Sequence, residues 1–214
     1  MPWPWLTILA LGALVSGADA QTRRRPPARP AALAITTEAA ALACPHVLGQ
    51  GVATQRAFCD IEAGTDPLAG AIVRLPPHRG PATLTFDLHN RHRYSAELVD
   101  SGRGYTLATA TIGVLAMDKT LLTRAVVQTE FRRAADLFDR IAAGAGMAGV
   151  KAVAPIGSEA VSVEIAEGVD AVSILGEKVV IVGLDTSETI SGANRPIAVV
   201  SAVRVSYRPA QRRP

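Results

Sequence analysis

The stretch ATLTFDL, residues 82–88, decides the fold class, because its apolar and polar side chains alternate without a break. Leu84, Phe86 and Leu88 fall on one face, and two threonines and an aspartate occupy the other. A side-chain period of two is typical of a β-strand with one face in the core. The stretch therefore predicts a half-buried strand.

The same alternation returns at short intervals along the rest of the chain. After the polar residues 89–92, the apolar face resumes at Tyr94, Ala96 and Leu98, which predicts a hairpin with a four-residue loop at His89–His92. Turn residues at 101–104 and 118–119 separate further strands. The strands are predicted at 105–116, 121–131, 160–166, 171–175, 178–184 and 196–207. Short strands with Gly, Asp and Pro turns predict a mainly β, antiparallel sandwich of the immunoglobulin-like or jelly-roll kind.

Two segments break this rhythm. In residues 133–143, Ala134, Leu137, Phe138 and Ile141 recur at helical spacing, which predicts an amphipathic helix inserted among the strands. A second, weaker helical pattern covers residues 37–43 and ends before Pro45.

The stretch GAGMAG, residues 144–149, has the glycine spacing of a dinucleotide-binding turn. Such a turn follows a strand and opens a helix, whose free N–H groups then bind the pyrophosphate. Here the glycines follow the predicted helix and lead toward a strand. We therefore interpret Gly144 as a helix C-cap, and the sequence indicates no cofactor.

The ends of the chain differ in composition from its middle. Residues 1–20 combine an apolar run with the small-residue ending Ala18-Asp19-Ala20, as in a signal peptide, although no Lys or Arg precedes the run. Residues 21–35 predict a disordered basic linker, and residues 210–214 a disordered tail. Between them we expect an N-terminal segment at 36–69 and a β-sandwich domain at 70–209. No run after residue 20 is long enough for a transmembrane helix, which takes about 20 residues.

Cysteine usage and charge bear on the compartment and on partners. Cys44 and Cys59 are the only cysteines, and in an oxidising compartment such a pair predicts a disulfide. The formal net charge is +3, with the basic excess at the two ends, where the tails could touch anionic surfaces. Only three of the 22 basic residues are lysine, which together with abundant Ala, Gly and Pro is typical of a GC-rich bacterial genome.

The histidines are the best candidates for a site. His89, Asn90, Arg91 and His92 would form a ligand-binding loop at one end of the sandwich. His78, His89 and His92 could alternatively bind zinc or copper if the loop turned both of its imidazoles to one side. A solvated basic turn explains the same residues.

Several chemistries are disfavoured. The chain has no G-x-S-x-G, S-x-x-K or H-E-x-x-H motif, and a disulfide would remove the thiolate nucleophile. Aromatic residues are scarce, which argues against stacking of single-stranded nucleic acid.

We therefore expect an exported, periplasmic or extracellular, non-catalytic binding or structural module of the bacterial envelope, whose partner is a glycan or an envelope protein. The alternatives are a metal-binding protein or metal-dependent enzyme using the three histidines, and a carrier for a hydrophobic small molecule.

Overall fold

Two antiparallel sheets packed face to face make up the fold in the computed structural model. The structure describes residues 34–141 and 151–210, and for residues 151–155 it describes the backbone alone. The expected signal peptide, nearly all of the expected linker, the GAGMAG turn and residues 211–214 of the expected tail lie outside the described residues.

In the described residues, each sheet contains six strands. The first sheet comprises β1 (Thr36–Ala39), β3 (Val47–Gln50), β4 (Ala57–Glu62), β6 (Ala82–Tyr94), β9 (Lys151–Ile165) and β12 (Pro196–Tyr207). The second sheet comprises β2 (Ala41–Ala43), β5 (Ala71–Arg74), β7 (Thr106–Ala116), β8 (Leu121–Phe131), β10 (Ala171–Gly183) and β11 (Ser187–Ile190). The helical elements are α1 (Ala96–Asp100) and two 3-10 turns, at Pro67–Ala69 and Ala134–Asp136.

The sheets have the orders β3-β4-β12-β6-β9 and β2-β5-β10-β7-β8. The long strands β12 and β10 are each flanked on one side by two short strands in succession. β12 pairs with β4 near its start and with β1 near its end. β10 pairs first with β5 and then with β11. Residues 36–69 thus supply strands to both sheets, and the expected segment at 36–69 is part of the sandwich.

The prediction of a mainly β, antiparallel sandwich is confirmed. β8 and β12 have the predicted bounds, and β7 begins one residue later than predicted. Leu84, Phe86 and Leu88 of the opening stretch are all buried between the sheets. Burial of such side chains contributes roughly 1.5–3 kcal/mol each, so this face is a main source of stability.

The short α-helix of the fold lies at Ala96–Asp100, and residues 133–141 form only the 3-10 turn Ala134–Asp136. The helical spacing there has another origin. Phe138 and Ile141 pack on the outer face of the first sheet against Phe58 and Val199, as a non-helical segment crossing a sheet. The Asp139 carboxylate anchors this segment by accepting the backbone N–H groups of 53 and 54 at 3.0 and 2.9 Å.

The prediction of a second helix at 37–43 is also wrong, because these residues lie in β1 and β2. The chain passes from the first sheet to the second at Ala40, whose N–H donates to the Val203 carbonyl at 3.0 Å. Strand pairing therefore outweighs the helix propensity of an alanine-rich run.

An irregularity in β12 changes which face its side chains occupy. In β12 the register shifts after Ser201, where Ala202 has φ of 53°. As a result Val199 packs on the outer face, whereas Val203 and Val205 pack inside. Uninterrupted alternation would place these three valines on one face. An extra residue in one strand reverses the parity of every residue beyond it.

The Cys44–Cys59 disulfide is present, with the two Cα atoms 5.8 Å apart. Cys44 follows β2 of the second sheet, and Cys59 lies in β4 of the first. The bond therefore ties the two sheets to each other.

No helix among residues 34–141 and 151–210 has both the length and the apolar character needed to cross a membrane.

Candidate functional site

Residues 89–92, predicted as a hairpin loop, lie inside the continuous strand β6. The prediction of a loop is wrong because His89, Asn90 and His92 are buried and find partners there. A run of His, Asn and Arg can either form a solvated turn or lie in a strand where other strands supply hydrogen-bond partners. The sequence does not distinguish these two cases.

His89 faces the outer surface of the first sheet, where the segment after β8 covers it. Its ring lies 5.7 Å from the ring of Phe58 and 5.0 Å from that of Phe138. Nδ1 is 2.6 Å from the Gly157 carbonyl oxygen, and Nε2 is 2.9 Å from Ser201 Oγ. Burial lowers the pKa of His89, which is fully buried. His89 is thus enclosed and does not offer a ring nitrogen to a ligand from solvent.

The contact between Ser201 and His89 has the residue types of a nucleophile and its base. Both side chains are buried, at 1% and 0% exposure, beneath the aromatic side chains just described. The pair therefore lies in the protein interior and acts there as a hydrogen-bonded link between β12 and β6.

Asn90 and His92 face inward and join the first sheet to the second. The Asn90 amide donates to the carbonyl oxygens of Ala108 and Val127 at 2.9 and 3.2 Å. The His92 ring nitrogens lie 3.0 Å from Thr106 Oγ1 and 3.2 Å from Thr129 Oγ1. Burial lowers the pKa of His92 to about 4, so its imidazole is neutral at physiological pH.

The three histidines considered as metal ligands do not converge. His89 and His92 lie on opposite faces of β6, and His78 lies beside Pro209, with ring nitrogens near the carbonyl oxygens of Pro76 and Ala166. Within the described part of the chain, no group of three or more His, Cys, Asp or Glu side chains is placed to hold a metal ion.

Arg91 is the one predicted site residue that reaches an open cavity while also pairing with a buried acid. Its Nε lies 3.1 Å from Asp60 Oδ1. Burial raises the pKa of Asp60 to about 6, against the opposing effect of Arg91. The N–H of Nε is not aligned with that oxygen, since both atoms lack a hydrogen bond among the described residues. The pair is therefore electrostatic rather than a well-formed hydrogen bond.

The cavity opens between the sheets where β12 begins. β12 pairs with β6 only as far as Asn90, so the edge of β6 beyond that residue extends past its neighbour. A cavity of about 400 Å³ lies in this gap. We call it the inter-sheet cleft. Its lining from the first sheet and the preceding turn is Arg91, His92, Arg93, Arg195, Pro196 and Ile197. Its lining from the second sheet is Thr106, Ala108, Val179, Ile181, Glu188 and Ile190.

The register of the second sheet places Glu188 on the inner wall of the cleft. Ile181 lies opposite Ala108 on one side and opposite Glu188 on the other. Residues directly opposite each other on neighbouring strands point to the same face, so the three side chains form one inward row. Arg195 lines the cleft from the turn that precedes β12. Arg91 and Arg93 border it at the edge of β6, where they alternate with the inward-facing His92.

The inter-sheet cleft is lined in part by charged side chains that form no ion pair. Among those residues, neither Arg93, Arg195 nor Glu188 is within 4 Å of an oppositely charged side chain. Such groups are free to hydrogen-bond a ligand. His92 adds a neutral imidazole at the wall.

A second, shallower groove of about 670 Å³ lies partly on the outer face of the second sheet, next to Leu115, Leu121 and Leu175. Its lining includes the ion pair of Arg124 and Glu177, at 2.6 Å, and Lys119, which forms no ion pair among the described residues. This groove therefore has fewer free groups to orient a ligand than the inter-sheet cleft.

Sequence reasoning found Arg91 and His92 of the cleft but missed Arg93, Arg195 and Glu188. Arg93 directly follows the predicted site, and Arg195 directly precedes the predicted strand at Pro196. No pattern in the sequence indicates that β12 begins beside the end of β6, and that pairing is what brings these residues together.

Comparison of the chain with family models, with curated proteins and with solved structures found no match.

Proposed function

We propose that this protein is an exported, non-catalytic binding module of the bacterial envelope, which holds a small group of its ligand in the inter-sheet cleft. The observation that carries the proposal is the cleft itself, where Arg195 and Glu188 border about 400 Å³ of open space. Small-molecule sites are usually concave, with a few polar groups placed to orient the ligand, and occupy roughly 300–1,000 Å³.

The disulfide supports export. Cys44 and Cys59 are bonded in the structure, and disulfides persist mainly in oxidising compartments such as the periplasm or the extracellular space. The pattern of residues 1–20 agrees with this placement. Of these two observations, the disulfide is a feature of the structure and the signal-peptide pattern is a feature of the sequence.

The roles of the polar residues support binding rather than catalysis. The buried set His89, Asn90, His92 and Ser201 makes hydrogen bonds that join strands and sheets. The side chains that line the cleft offer charge and hydrogen bonds. Ligand binding requires only the charges and hydrogen-bonding groups that the cleft presents.

Between a glycan and an envelope protein, the size of the cleft favours the glycan. A stable protein–protein interface buries about 1,200–2,000 Å² in total and is commonly flat, whereas a cleft of this volume accepts one small group. We therefore place the glycan first and the envelope protein second.

Four measurements test this function, two for export and two for binding. Fractionation of bacteria expressing the full chain with a C-terminal tag, followed by non-reducing peptide mapping, should find it outside the cytoplasm with Cys44 bonded to Cys59. A glycan array should show binding, and a pull-down from envelope extract tests the protein alternative. A cytoplasmic location with free thiols would refute export, and a blank array together with a blank pull-down would refute the binding role.

A further inference from the structure

We infer that the shallower groove on the second sheet, called the outer groove from here on, binds a fatty acid. The chain of the ligand would lie on Leu115, Leu121 and Leu175, and its carboxylate would pair with Lys119. The outer groove shares no lining residue with the inter-sheet cleft, so it is a second site and does not depend on the function proposed for that cleft.

The strand register places the three leucines of the outer groove on one surface. Leu175 of β10 lies opposite Gly113 of β7, and Leu115 of β7 lies opposite Leu121 of β8. Residues opposite each other on neighbouring strands point to the same face. The even-numbered residues of 108–114 are in the core, so Gly113 and Leu115 point outward. The outer groove therefore crosses three adjacent strands, a span of about 10 Å at about 4.8 Å between strands.

Two glycines leave space beside these leucines. A Cβ at Gly113 would lie 3.1 Å from Leu121 Cδ1 and 3.3 Å from Leu115 Cδ1, so a side chain there would occupy the floor of the outer groove. A Cβ at Gly64 would lie 3.4 Å from Leu175 Cδ2. Leu121 is 38% exposed. A flexible hydrocarbon chain fits a shallow apolar floor of this kind, and covering it removes apolar surface from water.

The charges of the outer groove favour one anionic group on the ligand. Arg124 and Glu177 pair with each other, at 2.6 Å. Lys119 is exposed and forms no ion pair among the described residues. Its neighbour Asp118 does not line the outer groove, and the Asp118 carboxylate accepts the Thr120 N–H at 2.9 Å within the turn. One ammonium group therefore remains beside the apolar floor, and one carboxylate matches it.

The backbone of Lys119 supports a role for its side chain. Its φ is 75°, in the left-handed region that glycine adopts without strain and lysine rarely adopts. The turn is closed by two hydrogen bonds, from the Lys119 N–H to the Ala116 carbonyl at 3.0 Å and from the Ala116 N–H to the Thr120 carbonyl at 2.8 Å. Glycine would hold the same turn at lower cost. Replacing Lys119 with glycine should therefore keep the turn and remove the cation.

The experiment is an NMR titration of the full chain with three probes, followed by the methyl signals of the leucines in the outer groove. Octanoate carries both the chain and the carboxylate, 1-octanol carries the chain alone, and acetate carries the carboxylate alone. We expect saturable binding of octanoate below about 5 mM, with 1-octanol at least about threefold weaker and acetate at least about tenfold weaker.

Lysine variants test the contact with the carboxylate. K119G should weaken octanoate binding by about threefold or more and leave 1-octanol binding within about twofold, because only the acid pairs with the ammonium. K178Q is the matched control. Lys178 is exposed and lies opposite Thr111, which is six residues before Met117 and therefore roughly 20 Å from the turn at about 3.3 Å per residue. Salt screens a charge at that distance, so K178Q should leave both affinities within about twofold.

A variant of Gly113 tests the contact with the chain. G113V places a side chain between Leu115 and Leu121 and should weaken octanoate and 1-octanol alike, by about threefold or more. T111V is the matched control, because Thr111 lies on the same outward face of β7 but does not line the outer groove. Thermal unfolding of each variant checks that the fold is retained.

Several results would overturn the inference. These are no saturable binding of octanoate, equal binding of octanoate and either other probe, an equal loss of affinity in K119G and K178Q, or unchanged binding in G113V. Sedimentation velocity covers the remaining alternative. A wild-type dimer that G113V dissociates would assign the outer groove to a second copy of the chain and refute the fatty acid.

Discussion

Burial of a neutral His92 between the sheets should make the fold sensitive to acid, and replacing this histidine should remove that part of the sensitivity. Its ring contacts the hydroxyls of Thr106 and Thr129, and its residue is 5% exposed. Burial lowers the pKa of His92 from 6.5 to about 4.

The direction of the pH dependence follows from which state, folded or unfolded, binds more protons. In the unfolded chain the imidazole accepts a proton near pH 6.5, whereas in the folded protein it stays neutral down to about pH 4. Between these values the unfolded state binds more protons, so the free energy of unfolding falls as the pH falls. At about 1.4 kcal/mol per pH unit, the full loss attributable to His92 is about 3 kcal/mol.

Asp60 acts in the opposite direction over much of the same range. Burial raises its pKa from 3.8 to about 6, so its ionised form destabilises the fold above pH 6. That penalty disappears as the pH falls toward 3.8. The wild-type profile alone therefore understates the effect of His92, and the informative quantity is the difference between wild type and H92Q.

The assay is urea denaturation of wild type and H92Q at several pH values from 7.5 to 4. H92Q is expected to lose stability at neutral pH, because Gln replaces the imidazole contacts incompletely. The difference in free energy of unfolding between wild type and H92Q should shrink by about 3 kcal/mol as the pH falls. H78Q is the control, because His78 lies beside Pro209, before β6 begins, and should keep the slope that His92 near the end of β6 produces. Parallel pH profiles for wild type and H92Q would refute the reasoning.

Three further predictions concern the framework. Reducing the Cys44–Cys59 bond should lower the free energy of unfolding by about 3 kcal/mol, given the sequence separation of 15, and an unchanged urea midpoint with reductant would contradict this. G176A should destabilise the fold by about 1–3 kcal/mol, because its Cβ would lie 2.6 Å from Ile197 Cγ1. Its control G64A places the nearest atom at 3.4 Å and should melt closer to wild type, so similar melting temperatures would count against the packing argument. D139N should speed amide hydrogen exchange at Thr54, whose N–H the carboxylate accepts at 2.9 Å, and unchanged exchange would show that the contact does not hold this turn.

The fold class could be predicted from sequence because alternation is a local property. Leu84, Phe86 and Leu88 repeat with the period of the strand, and each is buried as that period requires. The bounds of β8 and β12 were predictable for the same reason, since turn residues or proline mark their ends.

Features that depend on distant partners could not be predicted. His89 to His92 look like a turn until Ser201, Thr106 and Thr129 supply hydrogen bonds from other strands. Phe138 and Ile141 have helical spacing, but they pack on the outer face of the first sheet in a non-helical segment. The bulge at Ala202 has no proline or glycine to mark it.

The candidate site was predictable only in part for the same physical reason. Arg91 and His92 lie within one polar stretch, which drew attention to them. Glu188 joins them only through the pairing of β11 with β10 and of β10 with β7. Such pairings are set by the whole chain.

The position of β12 has a consequence for the order of assembly. Of the strands in the described residues it is the last to be synthesised, yet it lies between β4 and β6 and also pairs with β1, the first of them. The first sheet lacks its central strand until residues 196–207 have been synthesised. The strands made earlier therefore cannot complete this sheet, and its closure waits for a segment more than 100 residues beyond β6.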